Sequence, residues 1–339
     1  MPAEFPFSVI TGETVARRIS EDVPGCMEAV RQGYLAHSAG NSVTPPSLFL
    51  RFADRPEARI IALPTHLASP WKMSGIKWIA SFPENVRHGF PRASAVIILN
   101  NHENGYPVAC LEGSIISASR TAALAVLAAQ QFYPDDRRIK SLGIVGTGLI
   151  GRYLYRFLSA SGFTIDTVHL HDLAPEMAER FAARVCEHHR HSAVIVDKDP
   201  ATLIRACDLI VFATTAARPY VHDRSLLDHN PAILHISLRD LAPELLLDAW
   251  NVVDDIDHVM HADTSPHLTE KLTGSRNFVT GTLAGLMQGQ YVIDRGRPII
   301  FSPFGLGALD LALSKWIYDR SVSCGDQLEI NSFFHDLER

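Results

Sequence analysis

Residues 141–151 of the chain read SLGIVGTGLIG. Leu142 to Val145 predict a short buried strand, and Leu149 to Leu158 predict the helix that leaves it. The turn between them carries three glycines, Gly146, Gly148 and Gly151. Glycine there permits a tight turn, lets the backbone approach a pyrophosphate and lets the helix pack closely on the strand. The stretch therefore predicts a dinucleotide-binding loop, with the free N–H groups of the helix N-terminus facing the phosphates.

The acid after the second strand indicates which dinucleotide binds. Ile165 to Leu170 form that predicted strand, and Asp172 follows where a ribose-binding carboxylate belongs. No arginine stands beside Asp172, and its charge would repel a 2′-phosphate, so the sequence favours NAD over NADP. We expect the cofactor contacts to come from the loop, this acid and the carboxyl ends of later strands: Gly146, Thr147, Gly148, Leu149, Ile150, Gly151, Asp172, Thr214, Thr215, Ser237 and Gly305. The alternative for the strand ends is that their Thr, Ser and Gly residues only make turns.

The position of the loop in the middle of a 339-residue chain predicts two domains. From Ser141 onward predicted strands and helices alternate, which is typical of a doubly wound parallel α/β sheet. The later strands are expected at Ala193–Val196, Leu209–Thr214, Ala232–Ser237, Val252–Asp254 and Pro298–Ser302. A last helix, from about Gly307 to Tyr318, follows them and is free to pack back on the first domain.

The first region predicts an α+β domain of its own. Apolar residues on one face predict a helix over Val23–His37. The strands are expected at Ser47–Ala53, Ala58–Leu63, Gly75–Ser81, Ala93–Asn100 and Pro107–Leu111. Their connections are too short for crossover helices, so we expect an antiparallel or mixed sheet. An alanine-rich helix over Ser114–Phe132 is expected to be buried as a bridge between the domains.

Composition restricts the partners and the compartment. The net charge is −6 and 47% of the residues are hydrophobic, with charges scattered along the chain. This pattern argues against nucleic acid and against a membrane surface, and no apolar stretch is long enough to span a bilayer. We expect no signal peptide, because the first residues lack a basic start followed by an apolar run. Five widely separated cysteines predict reduced thiols and a cytoplasmic protein.

Several charged residues in apolar surroundings are candidates for catalysis and substrate binding. Lys77 lies in the apolar run Ser74–Ile79, so it either reaches solvent or is held at a site. Asp240 leaves the sheet after the strand ending near Ser237, and its alternative role is capping the helix near Pro243. The arginines that interrupt apolar segments are Arg59, Arg92 and Arg120. Arginine binds carboxylates with two hydrogen bonds, so these three arginines and Lys77 are suited to a substrate with several carboxylates. The alternative is that the arginines form ordinary ion pairs on the surfaces of the domains, which their spacing does not exclude.

No metal site is predicted. The run Glu187–His191 holds three histidines, but no further carboxylate or cysteine stands at ligand spacing. A second group, His258 and His261 with Asp255 and Asp263, follows a strand in a predicted loop, and we expect no metal there either.

Together these motifs resemble the ornithine cyclodeaminase/mu-crystallin family over about residues 25–320. The resemblance is carried by Arg59–Pro64, Ser74–Ile79, Arg120–Ala123, Gly146–Gly151 and Phe301–Gly305. Within the family the chain is most similar to the branch that oxidises N-(1-amino-1-carboxyl-2-ethyl)-glutamate and makes L-2,3-diaminopropionate for siderophores. That similarity lies in Ile76–Ile79, Arg92–Ser94 and Val96–Asn100. Ile150-Gly151 and Leu238-Arg239 depart from the wider family's pattern, which weakens the transfer of ornithine chemistry.

The resemblance implies a fold, a reaction and roles for residues. The fold would be a substrate-binding and dimerisation domain over 1–118, joined by the C-terminal helix (about 307–339), and a Rossmann NAD-binding domain over 119–306. The catalytic pair would be Lys77 and Asp240, with Arg59 and Arg120 on substrate carboxylates and Thr121 at the pyrophosphate. The assembly would be a homodimer, which also covers exposed sheet edges. Two alternatives stay open: a cyclodeaminase that recycles NAD internally, and a ketimine reductase or nucleotide-binding protein like the mu-crystallins.

Overall fold

A computed structural model describes residues 6–188, 191 and 193–335 of the chain. The chain forms two compact units. One unit runs to Arg120 and resumes at Leu306, and the other comprises Thr121–Gly305. The division therefore falls inside a single helix that begins at Gly113.

The elements follow one another in three runs. The first run is β1 (Phe7–Ile10), α1 (Gly12–Glu21), α2 (Val23–Ser38), β2 (Ser42–Val43), β3 (Leu48–Phe52), β4 (Arg55–Leu67), β5 (Met73–Ser81), β6 (Ala93–Asn101), β7 (Pro107–Glu112) and α3 (Gly113–Phe132). The second run is β8 (Arg138–Val145), α4 (Leu149–Ala160), β9 (Thr164–His171), α5 (Pro175–His188), β10 (Ala193–Val196), α6 (Pro200–Ala206), β11 (Leu209–Phe212), β12 (Ala232–His235), α7 (Pro243–Leu247), β13 (Trp250–Val253), α8 (Ile256–Val259), α9 (Ser265–Thr273), β14 (Val279–Thr282), α10 (Leu283–Met287) and β15 (Ile299–Ser302). The chain then adds α11 (Gly307–Cys324) and β16 (Leu328–Ile330), and short 3₁₀ helices lie at Pro83–His88 and Arg224–Leu227.

The sheet of the first unit is mixed, as the short connections predicted. Its order is β16-β1-β7-β6-β5-β4-β2, and β3 also pairs with β4. The β1–β7 pair is parallel, whereas the neighbouring pairs from β7 to β2 are antiparallel. Helix α11 packs on β4, β5 and α2, so it covers one face of the sheet. The sequence prediction did not include β1, a strand of only four residues, or the ten-residue helix α1.

The sheet of the second unit is parallel, as the alternation of strands and helices predicted. Its order is β10-β9-β8-β11-β12-β15-β13-β14. Strands β11, β12 and β15 are buried along their whole length, which is typical of a parallel sheet covered on both faces. The strand order reverses at β8, which lies between β9 and β11. Ligands of such sheets bind beyond the carboxyl ends of the strands at this point of reversal, where the Gly146–Gly151 loop lies.

Two further observations concern the whole described chain. None of its helices combines the length and the apolar character needed to cross a membrane. All five cysteines carry free thiols.

Candidate active site

The glycine loop has the geometry that a dinucleotide needs. Gly146 has φ +93°, and a Cβ there would lie 2.6 Å from the carbonyl oxygen of Ala213. A Cβ at Gly151 would lie 2.4 Å from the carbonyl oxygen of Gly146. The fold itself therefore requires glycine at these two positions. A Cβ at Gly148, the N-cap of α4, would meet no protein atom within 4 Å. This free space beside a helix N-terminus is suited to a pyrophosphate group.

Asp172 is held against this loop. Its Oδ2 accepts hydrogen bonds from the backbone N–H (2.7 Å) and the hydroxyl (2.8 Å) of Thr147, while Oδ1 accepts from the N–H of Ala174 (3.1 Å). A carboxylate has about four acceptor sites, so capacity remains for a ribose hydroxyl. Leu149 and Ile150 are the first two residues of α4. The loop, Thr147 and Asp172 are thus brought together as the sequence motif predicted.

Asp240 lies in a pocket of hydroxyl donors. Its side chain is fully buried, and Oδ1 accepts from the hydroxyls of Thr214 (2.5 Å) and Tyr220 (3.1 Å). Oδ2 accepts from the hydroxyl of Ser237. Burial acts to raise the pKa of Asp240, but the neighbouring His235 ring and the hydroxyls of Ser237 and Thr214 outweigh it, and the pKa lies below its usual value. Asp240 therefore stays ionised.

The alternative role of Asp240 as a helix cap is wrong. Helix α7 begins at Pro243 with Ala242 as its N-cap, and no side chain caps it. The turn that carries Asp240 is strained instead, because Leu238 has φ +78°, which is an outlier for a bulky side chain. Backbone strain of this kind concentrates at functional sites.

His235 links Asp240 to the end of another strand. The ring is fully buried in β12, and the backbone N–H of Asp240 donates to its Nε2 (3.1 Å). Its Nδ1 lies 3.3 Å from the hydroxyl of Ser302 at the end of β15. The sequence prediction did not single out His235, although a histidine inside a fully buried apolar strand was a signal for it.

Gly305 lies in a loop fixed by a buried acid that the sequence prediction also missed. Gly305 has φ +98°, and its N–H and that of Phe304 donate to Asp254 (2.7 and 3.0 Å). Burial raises the pKa of Asp254 above its usual value, although the N–H groups of Phe304 and Gly305 act to lower it. Of the remaining predicted cofactor residues, Thr215 is exposed in the loop after β11, and Thr121 lies in α3.

In the first unit, Lys77 and Arg120 share one buried carboxylate. The ammonium of Lys77 lies 2.6 Å from Oδ2 of Asp310, and Nε of Arg120 lies 3.2 Å from Oδ1 of the same residue. The side chains of Lys77 and Asp310 are 4% and 2% exposed. Burial lowers the pKa of Lys77 to about 8 and the charge of Arg120 adds to this effect, whereas Asp310 acts to raise the value. Lys77 is therefore not a residue that reaches solvent, and it can exchange a proton near neutral pH.

Arg59 and Arg92 form a second cationic group around Ser81. Arg92 donates to the hydroxyl of Ser81 (2.7 Å), and Arg59 stands opposite Ser81 in the β4–β5 pair. Burial and the charge of Arg59 lower the pKa of Arg92. Among the described residues, no carboxylate lies within ion-pair distance of either guanidinium. An anionic ligand would relieve this repulsion.

The two cationic groups lie on one face of the sheet. Lys77 and Ser81 are four residues apart on β5, so their side chains share a face and are separated by roughly 13 Å along the strand. Neither Arg59 nor Arg92 is among the charges that act on the pKa of Lys77. The groups are therefore electrostatically separate.

Asp310, the buried partner of Lys77 and Arg120, is a third residue that the sequence prediction did not include. It is the one acid in the apolar first turns of α11, and that isolation was the available signal. No metal site was predicted in the histidine-rich run 187–191. Two residues of this run, His189 and Arg190, lie outside the described residues.

The comparisons with known proteins decide the family. The model of the ornithine cyclodeaminase/mu-crystallin family matches residues 9–325. The chain belongs to this family. The resemblance inferred from the sequence motifs is thereby confirmed.

Several known proteins are similar to the chain over most of its length. The N-((2S)-2-amino-2-carboxyethyl)-L-glutamate dehydrogenase of Staphylococcus aureus is 29% identical, over 87% of this chain and 89% of the relative. The alanine dehydrogenase of Archaeoglobus fulgidus is 27% identical, over 93% and 95%. An archaeal alanine dehydrogenase dimer solved with bound NAD matches with a TM-score of 0.85 and 25% identity, over 97% of this chain and all of that one. The predictions of a Rossmann-type fold and of an oxidoreductase agree with these relatives.

Proposed function

We propose that the chain catalyses the NAD-dependent oxidation of a secondary amine with several carboxylates, N-((2S)-2-amino-2-carboxyethyl)-L-glutamate. The products are 2-oxoglutarate and L-2,3-diaminopropionate, a building block for siderophores. The similarity to the staphylococcal dehydrogenase of that substrate supports the proposal. Similarity alone does not separate this reaction from alanine oxidation, because an alanine dehydrogenase is nearly as similar.

The observation that carries the choice of substrate is the pair of separate cationic groups. One group is Lys77 with Arg120, and the other is Arg59 with Arg92. Both lie on the same face of the sheet but at different positions along it, so each can bind a different carboxylate. Alanine has a single carboxylate and would leave one group unneutralised. The proposed substrate has three carboxylates, two on its glutamate half and one on the other half. Its carboxylates can therefore bind to both cationic groups at once.

The second unit supplies the cofactor side of the reaction. Gly148 and the N-terminus of α4 would receive the pyrophosphate, and Asp172 would receive the ribose hydroxyls. NAD⁺ held there would supply the acceptor for the hydride that leaves the glutamate α-carbon. The resulting imine takes up water, and the C–N bond then breaks to give the ketone of 2-oxoglutarate and the free amine of diaminopropionate.

Lys77 and Asp240 have complementary roles in this scheme. Lys77, with a pKa of about 8, accepts the proton that the secondary amine must lose before its α-hydrogen can leave as hydride. Asp240, with a lowered pKa, is a weak base but a permanent negative charge. Its carboxylate stabilises the positive charge that develops on the imine nitrogen and orients the attacking water. The arginines hold the carboxylates and so fix the reacting carbon.

The test is a panel of three amines, each mixed with the protein and NAD⁺: the proposed conjugate, L-alanine and L-ornithine. We expect NADH, followed at 340 nm, only with the conjugate. Arg59→Ala and Arg92→Ala should raise KM for the conjugate at least tenfold, whereas Arg55→Ala, an exposed control on the same strand, should not. Efficient oxidation of alanine would instead support the hypothesis that the chain is an alanine dehydrogenase. Ammonia release from ornithine without net NADH would favour a cyclodeaminase.

A further inference from the structure

We propose that Asp310 is the positioning residue that fixes Lys77 as the proton-exchanging group and Arg120 as a carboxylate clamp. The inference rests on the proposed function of Lys77 and Arg120. It adds a third residue to that site, contributed by the C-terminal helix α11.

The geometry assigns each oxygen of Asp310 to one partner. Oδ2 is within 2.6 Å of the Lys77 ammonium, and Oδ1 accepts from Nε of Arg120 at 3.2 Å. The Nε contact uses one of the five N–H donors of the guanidinium, so its two outer nitrogens remain for a substrate carboxylate. One side chain of α11 therefore orients two residues that lie on different elements, β5 and α3.

Asp310 also balances the charge around Lys77. In the described part of the chain, the charged groups that act on Lys77 are Asp310 from α11 and Arg120 from α3. The neighbouring strands present apolar residues at its level, Leu63 on β4 and Ile97 on β6. Two cations and one carboxylate leave a net positive charge in a buried place. Asp310 keeps Lys77 largely protonated at neutral pH, while burial and Arg120 hold its pKa low enough for release of the proton.

Removal of this carboxylate has a defined consequence. In Asp310→Asn, burial and Arg120 still lower the pKa of Lys77, but the charge that opposes them is gone. The midpoint of the Lys77 titration should then fall from about 8 by about one unit or more. Arg120 also loses its anchor, so KM for the conjugate should rise.

The experiment measures the titration of Lys77 without any substrate. Acetylation of Lys77 by limiting acetic anhydride is followed by mass spectrometry from pH 5 to 11, in the wild type and in Asp310→Asn. The control Asp319→Asn removes an acid of the same helix that pairs with Lys315 at the surface. We expect the midpoint to fall in Asp310→Asn and to stay in place in the control. An unchanged or higher midpoint in Asp310→Asn would overturn the proposal.

A second variant keeps the test decisive if Asp310→Asn does not fold. Arg120→Gln removes the repelling cation, so the Lys77 midpoint should rise, and an unchanged midpoint would contradict the charge balance. Kinetics with the conjugate then form a separate readout, in which Asp310→Asn should move the acid limb of kcat/KM to lower pH by the same amount. If no amine is oxidised at all, the proposed function fails while the labelling result on Asp310 still stands.

Discussion

At the residue scale, each of the two units holds a buried charged side chain, and the two are held by opposite means. Asp240 is kept ionised by the hydroxyl donors around it, whereas Lys77 is brought towards neutrality by burial and by Arg120. The sequence indicated Lys77 and Arg120 because each interrupts an apolar run. It could not indicate their shared partner, because Asp310 lies 233 positions from Lys77 along the chain.

The low pKa of Lys77 predicts the pH dependence of the reaction. The free amine is the form that accepts a proton, so kcat/KM for the conjugate should rise with pH and level off above about pH 8. Initial rates from pH 5.5 to 10 measure this. Lys77→Met should lower kcat at least 100-fold and leave the Kd for NAD⁺ nearly unchanged, whereas Lys72→Met, an exposed control, should do neither. A rate that falls from pH 6 to pH 8 would show that the protonated lysine is the active form.

Asp172 predicts the cofactor preference. Its carboxylate is fixed by Thr147 and Ala174 beside the glycine loop, where it would repel a 2′-phosphate. Fluorescence titrations should give a lower Kd for NAD⁺ than for NADP⁺. The variant Asp172→Ser should reduce the ratio of the NADP⁺ Kd to the NAD⁺ Kd about tenfold or more. The control Asp166→Ser removes an acid of β9, the strand that precedes Asp172, where it pairs with Arg138, and this change should leave the ratio of the two Kd values unchanged. Tighter binding of NADP⁺ by the wild type would refute the assignment.

At the scale of elements, the sequence predicted what is encoded locally. The strand, loop and helix from β8 to α4 follow from eleven consecutive residues, and the long strands β4 to β7 follow from apolar runs between Gly and Pro. Strand β14 was missed because it has four half-buried residues, one of them Gly281. The alternative role of Asp240 as a helix cap failed for a different reason, since three hydroxyl donors from separate positions hold that carboxylate.

The packing of α11 on α2 depends on a glycine. A Cβ at Gly33 would lie 2.5 Å from the Cβ of Ala312, so a larger residue must push the helices apart. Gly33→Val should lower the free energy of unfolding by about 1–3 kcal/mol, as overpacking of a core does. Denaturation by urea measures this, with Gln32→Val as the control on the exposed side of the same helix. Equal stabilities of the two variants would show that the helix pair adjusts without strain.

At the scale of the whole molecule, the sheet of the first unit presents an apolar row to solvent. Leu48, Trp78 and Val96 are 68%, 43% and 40% exposed. The register aligns them across β3 to β6, with Ala62 between Leu48 and Trp78. Trp78 follows Lys77 on the strand, so this row lies on the face opposite to the site. We propose that a second copy covers this face, whereas the sequence argument had pointed to the sheet edges.

A charge in this row should abolish the proposed homodimer. Val96→Glu places an unpaired carboxylate in the contact, so light scattering at micromolar concentration should give the mass of a monomer. The matched control is Leu272→Glu, which changes an exposed leucine of α9 in the other unit and should leave the dimer intact. A monomeric wild type would contradict the assembly, and a dimeric Val96→Glu would place the contact elsewhere.

In the proposed reaction, the hydride leaves the glutamate α-carbon, and the bond between that carbon and the amine nitrogen is then hydrolysed. The most direct test uses the conjugate deuterated at that carbon, with NAD⁺, and quantifies deuterated NADH and 2-oxoglutarate together. We expect one deuteride on the nicotinamide for each 2-oxoglutarate released, in equal amounts with L-2,3-diaminopropionate. Deuterium retained in the amino-acid product, or NADH formed without 2-oxoglutarate, would contradict it.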